Sequence, residues 1–331
     1  MKSAYQRLLW IALLTAACVV TLGAYVRLSD AGLGCPDWPG CYGKLVGVPE
    51  HAHEIDAAQE AFPHAPVEGP KAWKEMIHRY IAGGLGLMIL ALPFAAWRER
   101  RALTWPVALV FLVAFQAALG MWTVTMLLKP VIVTLHLLGG LATLSILFAL
   151  WWSQRLDAKP SSTPLTISPA YYRIAWLILI LVLIQISLGG WTSTNYAAMA
   201  CPDYPLCQGT MVPEMDWSHA FTFNRELGQT ASGEGLPLAS LVAIHWLHRW
   251  LAVAVVVAVG ALGWGLLKSG QRGYGMALIH VVVVQWLIGV SNVWLQWPLH
   301  LAVLHNTGAA LVLVTVIATL VRLRKARPAY A

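Results

Sequence analysis

The sequence predicts an all-α polytopic membrane protein with eight transmembrane helices, arranged as two pseudo-symmetric four-helix bundles. Three observations point there. Of its 331 residues 58% are hydrophobic and only 11% charged, too few charges to coat a soluble globule of this size. Eight apolar runs are long enough to cross a hydrocarbon core of about 30 Å. A set of landmark residues also recurs with a period of roughly 165 to 170 residues.

The apolar runs fall at 8–25, 76–97, 105–128, 131–152, 174–191, 241–267, 276–295 and 299–321. Lysines and arginines cluster at every second boundary: Lys2/Arg7, Arg98/Arg100/Arg101, Arg155/Lys159/Arg173, Lys268/Arg272 and Arg322/Arg324/Lys325/Arg327. By the positive-inside rule both termini are then cytoplasmic, and the two long loops, 28–74 and 192–240, face outwards. The net charge of +7 is accounted for by these flanks and implies no nucleic-acid partner. The first span has Lys2 and Arg7 before it, as a signal peptide would. Its counterpart deep in the chain argues that it is retained.

That counterpart belongs to the repeat. Cys35-Pro36-Asp37-Trp38-Pro39-Gly40-Cys41 matches Cys201-Pro202-Asp203-Tyr204-Pro205-Leu206-Cys207, and Gly23 and Gly189 each lie twelve positions before the first cysteine. His78-Arg79-Tyr80 matches His248-Arg249-Trp250, and Gln116 with Gly120 matches Gln285 with Gly289. His136 and His305 each follow their glutamine by twenty positions. Four spans per unit make this a parallel repeat, with a first half at 1–157, a cytoplasmic linker at 158–172 and a second half at 173–331. Glycine pairs such as Gly83/Gly84, Gly139/Gly140 and Gly189/Gly190 read as places where helices approach closely.

Ionisable residues inside spans usually face a bundle interior or a partner. His78, His136, His248 and His305 share one depth near the outer ends of the even-numbered spans. Two imidazoles from facing helices can clamp a haem by its iron, whereas a lone histidine would as readily be hydrogen-bonded in place. Arg79 and Arg249 follow two of these candidates and suit bidentate contact with haem propionates, or else reach out to lipid headgroups. The two cysteine pairs, in outward loops, read as disulfides, structural or redox-active, and zinc is disfavoured by the spacing. Cys18, in an apolar span, reads as packing. His51, His53 and His64 lie in the first outer loop with nothing to organise them as a metal site. Glu75 precedes His78 by three positions and shares its helix face, while the second half carries His245 in that place. An acid in a first helical turn complements the helix dipole, yet its loss from one copy argues that the halves have different jobs.

With these residues assembled, the chain resembles the haem A synthase family over nearly its whole length. The match rests on eight spans in two halves, Gly-Cys-Pro-Asp-Trp-Pro-x-Cys in the first outer loop, Glu-x-x-His-Arg in the second span, and histidines in spans four, six and eight. The resemblance implies an inner-membrane oxidoreductase that converts the C8 methyl of haem O to the formyl of haem A by successive hydroxylations and loss of water, for use in terminal oxidases. Carried over by position, His78 and His136 hold haem O, and His248 and His305 ligate a resident haem b. Glu75, Cys35 and Cys41 are then the catalytic candidates. Cys201/Cys207 and His245 have no role that the resemblance supplies. Implied partners are the bilayer, haem O, haem O synthase and an electron acceptor, and a homo-oligomer is possible. Two other classes fit parts of the pattern. One is a di-haem b protein that passes electrons between quinol and the outer cysteines. The other is a transporter, which would place its polar residues nearer the bilayer middle.

Overall fold

The computed structural model describes residues 3–158 and 168–325. Lys2, Lys159 and Arg327 of the basic clusters, and most of the expected linker, lie outside the described residues. The elements, in chain order, are α1 (Ala4–Leu28), α2 (Ala52–Ala61), α3 (Gly69–Arg98), α4 (Thr104–Thr125), α5 (Pro130–Asp157), α6 (Pro169–Thr194), a 3-10 turn (Ala197–Met199), α7 (Trp217–Ala220), α8 (Leu238–Lys268), α9 (Arg272–Trp294) and α10 (Leu299–Lys325). Eight of them, all but α2 and α7, are long and apolar enough to cross a membrane. Among the described residues there is no strand, only isolated bridges such as Cys41–Lys44 and Cys207–Thr210.

Local chemistry sets the ends. Ser3 caps α1 by accepting from the Gln6 amide, and the Gln6 side chain returns a bond to the Ser3 amide. Ser168 caps α6 ahead of Pro169, where a missing N–H costs nothing. Arg98, Lys268 and the Arg322/Arg324/Lys325 group occupy last turns, where their charge meets the negative end of the dipole. Along α1 the buried residues Leu9, Ala12, Leu13 and Ala16 form one stripe of helical spacing.

The chain divides into two compact units, Met1–Leu144 with Thr222–Leu236, and Ser145–Phe221 with Pro237–Ala331. In the first, α1 packs on α3 and α3 on α4. Gly140 of α5 lies where a Cβ would meet Val20 of α1 at 3.9 Å, so α5 closes back on α1. Lys129, in the turn between α4 and α5, binds Asn224 and Glu226 at 3.1 Å each, which ties the 222–236 segment to this unit. In the second unit α6, α8, α9 and α10 pack in sequence and α10 returns to α6. That is the neighbour pattern of an up-and-down four-helix bundle.

Two expectations need correction. Cys18 is exposed, not packed inside, because α1 turns this face away from its stripe of buried residues. Glu75 is not in a first helical turn. The helix α3 begins at Gly69, with Pro70 in its first positions, and its first turn holds no acid. Polar residues such as Lys71 and Lys74 continue the helix beyond the apolar run, so the dipole account of Glu75 falls away.

Candidate functional site

The four histidines stand in one kind of setting. Each ring lies against a glycine of a neighbouring helix. A Cβ at Gly23 of α1 would be 3.1 Å from His78 Cε1, and at Gly120 of α4 3.3 Å from His136 Cε1. In the second unit the corresponding distances are 3.0 Å from Gly189 to His248 and 2.9 Å from Gly289 to His305. Any side chain at these glycines would push on an imidazole. Of the glycines read in sequence as helix contacts, Gly189 makes room for a ring, Gly139 and Gly140 lie against Gln116, and a Cβ at Gly83 or Gly84 would meet nothing within 4 Å.

His248 and His305 face each other with ring centroids 6.5 Å apart and planes at 85°. Two imidazoles that bind one ion from opposite sides, through bonds of about 2 Å, have centroids roughly 6 to 6.5 Å apart. The observed centroid separation equals the upper end of that range. In the first unit the Nδ1 atoms of His78 and His136 are both buried without a hydrogen-bond partner. An imidazole left unprotonated at one ring nitrogen can ligate a haem iron through it, and Nδ1 is here the nitrogen that lacks a protein partner.

Above each histidine pair sits a cysteine loop tied to the helix below it. Cys35 and Cys41 are bonded, S–S 2.01 Å, and so are Cys201 and Cys207, S–S 1.94 Å. Asp37 accepts from the amides of Tyr42 (2.6 Å) and Gly43 (2.8 Å), and Asp203 accepts from those of Gln208 (2.7 Å) and Gly209 (2.9 Å). These bonds hold turns in which Tyr42 and Gln208 adopt left-handed backbone, with φ of 52° and 54°. Burial acts to raise the Asp203 carboxyl, but the amides of Gly209 and Gln208 outweigh it and hold the group below the usual carboxylate range.

Glu75 is buried beneath the first loop. Its Oε2 accepts from the Cys35 amide at 2.9 Å and its Oε1 from Arg79 Nη2 at 2.5 Å. Arg79 Nη1 in turn donates to the Asp37 carbonyl at 2.9 Å and to that of Gly40. The second loop repeats the plan with a different acceptor. His245 Nδ1 lies 3.4 Å from the Cys201 nitrogen and its Nε2 3.2 Å from Arg249 Nε, while Arg249 Nη1 donates to the carbonyls of Asp203 (2.6 Å) and Leu206 (2.9 Å). Both arginines thus point into the loops, and sequence reasoning missed this anchoring. It also missed Gln185, whose Nε2 is 3.1 Å from His248 Nδ1. The signal was present: Gln185 precedes Gly189 by four positions, as Gln116 precedes Gly120 and Gln285 precedes Gly289. His51 and His53 stack on each other at 5.9 Å in the exposed first loop. No group of three potential metal-binding side chains occurs among the described residues.

Comparison with known proteins meets this geometry from another direction. A haem A synthase of Shewanella oneidensis is 43% identical over 317 residues, covering 94% of each chain. One of Sphingopyxis alaskensis is 30% identical, covering 94% of this chain and 90% of its own. One of a Caulobacter species is 29% identical, with 92% and 91% covered. The model of the cytochrome oxidase assembly protein family (COX15-CtaA) matches residues 6–317, nearly the whole length. This chain belongs to the cytochrome oxidase assembly protein family.

Proposed function

We propose that this chain is a haem A synthase, a multi-pass membrane oxidoreductase that converts the C8 methyl of haem O to a formyl group. The observation that carries the reading is the histidine constellation, four imidazoles each seated on a glycine, within a chain similar to named haem A synthases along 94% of its length. Haem O is the substrate. His78 and His136 hold it in the first half, 1–157, and His248 and His305 hold a resident haem b in the second, 173–331. A haem b held there would supply an electron carrier, which the oxidation of a methyl group needs because it requires removal of electrons as well as protons.

The protein's own side chains do the rest. Glu75 carries its carboxylate one turn above His78 and binds the Cys35 amide, so it couples the substrate helix to the first disulfide loop. A carboxylate in this place orients water or accepts a proton when substrate comes within hydrogen-bond reach. Arg79 and Arg249 anchor the loops, and the propionates would share the guanidinium N–H groups that remain. The basic flanks support cytoplasmic termini and cysteine loops on the outer face of the inner membrane. A haem O synthase and an electron acceptor are the expected partners.

Co-expression with a haem O producer, followed by chromatography of extracted haem, tests the proposal. Haem A should appear only with the intact chain. If haem O persists unchanged while the protein carries haem, the chain is a di-haem electron-transfer protein instead. In the purified protein, His248→Ala and His305→Ala should each abolish or shift the low-spin haem b spectrum. Unaltered spectra in both would refute the second-half assignment.

A further inference from the structure

The four histidines share a glycine seat, but they differ in what faces the other ring nitrogen. Gln185 Nε2 lies 3.1 Å from His248 Nδ1 and 3.1 Å from the His248 carbonyl. Gln285 Nε2 lies 3.1 Å from His305 Nδ1 and 2.8 Å from the His305 carbonyl. Gln116 bonds only the His136 carbonyl, at 2.8 Å, and leaves Nδ1 of His136 buried without a partner. His78 Nδ1 is likewise buried and unpartnered, and the residue one turn before its glycine is Val19. Both second-half rings are therefore met by an amide at Nδ1, and neither first-half ring is.

We propose that Gln185 is a positioning residue that makes His248 a permanent iron ligand, and that Val19 in the matching place leaves His78 as the exchangeable ligand through which substrate haem enters and product leaves. The proposal rests on the reading of a haem b held by His248 and His305. A partner on the non-ligating nitrogen fixes ring orientation and tautomer, and raises the basicity of the ligating nitrogen. The two ends of a glutamine amide exchange by rotation about its last torsion, so its carbonyl can accept from Nδ1–H once Nε2 is bound, in exchange for the bond from the amide to the His248 carbonyl. The Oε1 atoms of Gln185 and Gln285 are buried and uncommitted, as is that of Gln116, whose amide meets the His136 carbonyl and not the ring. A valine side chain carries no acceptor for Nδ1–H. The chemistry needs this difference, because an enzyme of this kind must keep its cofactor and give up its product.

The test exchanges the two residues in the full-length protein, purified in detergent. Gln185→Val should lower haem b retained per chain by about tenfold or more, the scale at which outer partners act on metal affinity. The haem that remains should bind carbon monoxide when reduced, as a haem held firmly by two imidazoles does not. Gln185→Glu keeps an acceptor at Nδ1 and should restore retention and carbon monoxide resistance. Val19→Gln should leave several-fold more haem A co-purifying with the chain after turnover. Wild-type haem content and no carbon monoxide binding in Gln185→Val would overturn the role of Gln185. Unchanged co-purifying haem A in Val19→Gln would overturn that of Val19, and it decides the question even if Gln185→Val fails to accumulate. If instead His248→Ala and His305→Ala keep the wild-type spectrum, the haem b reading itself is wrong and the proposal falls with it.

Discussion

Glu75 accepts from the Cys35 amide and from Arg79, so its charge is fully engaged beneath the first cysteine loop. Removing one partner of a buried ion pair costs about 3–5 kcal/mol, because the other charge is left uncompensated. Glu75→Ala should therefore loosen the Cys35–Cys41 loop and abolish most haem A formation, with haem O or a hydroxylated intermediate building up while the second half keeps its haem b. Near-normal haem A on chromatography would contradict this. His245 does the same job less well. A neutral imidazole accepts at only one nitrogen, yet donors approach both. His245→Ala should accordingly be the milder change, and thiol labelling under graded reductant should find Cys201–Cys207 opening before Cys35–Cys41. Gly34 is the residue that allows this docking. A Cβ there would lie 2.6 Å from the Lys71 carbonyl carbon, so Gly34→Ala should lift the loop from α3 at a cost of about 1–3 kcal/mol, seen as faster reduction of Cys35–Cys41.

Two of the membrane helices begin before their apolar cores, on the side of the cysteine loops. The helix α3 begins at Gly69 and α8 at Leu238, whereas hydropathy places the runs from 76 and 241. The added turns hold the loops: Trp73 Nε1 donates to Glu50 at 2.8 Å, and in the second unit Ser240 donates to Asp216 at 2.9 Å. Within the first loop, Glu54 organises the start of α2. The Glu50 amide, then Lys44 and the His51 amide, hold its carboxyl down to about 2 from an ordinary 4.5. A folded value below the unfolded one means the contribution is complete above pH 4.5 and is lost as pH falls toward 2. Protease cutting within Ala52–Ala61 should rise through that acid window in the wild type, and Glu54→Gln should show the higher cutting already at neutral pH. A flat wild-type profile would remove Glu54 from this role.

At the scale of the whole molecule, the described residues hold eight helices long and apolar enough to cross a membrane and two bonded cysteine pairs in the loops between them. If both loops face an oxidising compartment, mass spectrometry after alkylation of unreduced protein should find Cys35 linked to Cys41 and Cys201 to Cys207, with Cys18 alone labelled. Free thiols at both pairs would contradict the outward placement. The family relationship extends over residues 6–317, so it spans both histidine pairs and both loops together.

Span number, the paired cysteines and the facing of His248 and His305 were legible in the sequence, because a bilayer demands long apolar runs and tolerates buried polar groups only where they are partnered. Helix starts were not, since hydropathy reports the lipid-facing stretch and not the helix. The inward and outward faces of α1 were also hidden, as Cys18 shows, because lipid and protein interior are equally apolar. Only the tertiary structure decided that Arg79 and Arg249 turn into the cysteine loops, that Glu75 grips the Cys35 amide from forty residues away, and that Gln185 reaches a ring on another helix. Those are hydrogen bonds between distant segments, and their partners are chosen by how the helices pack.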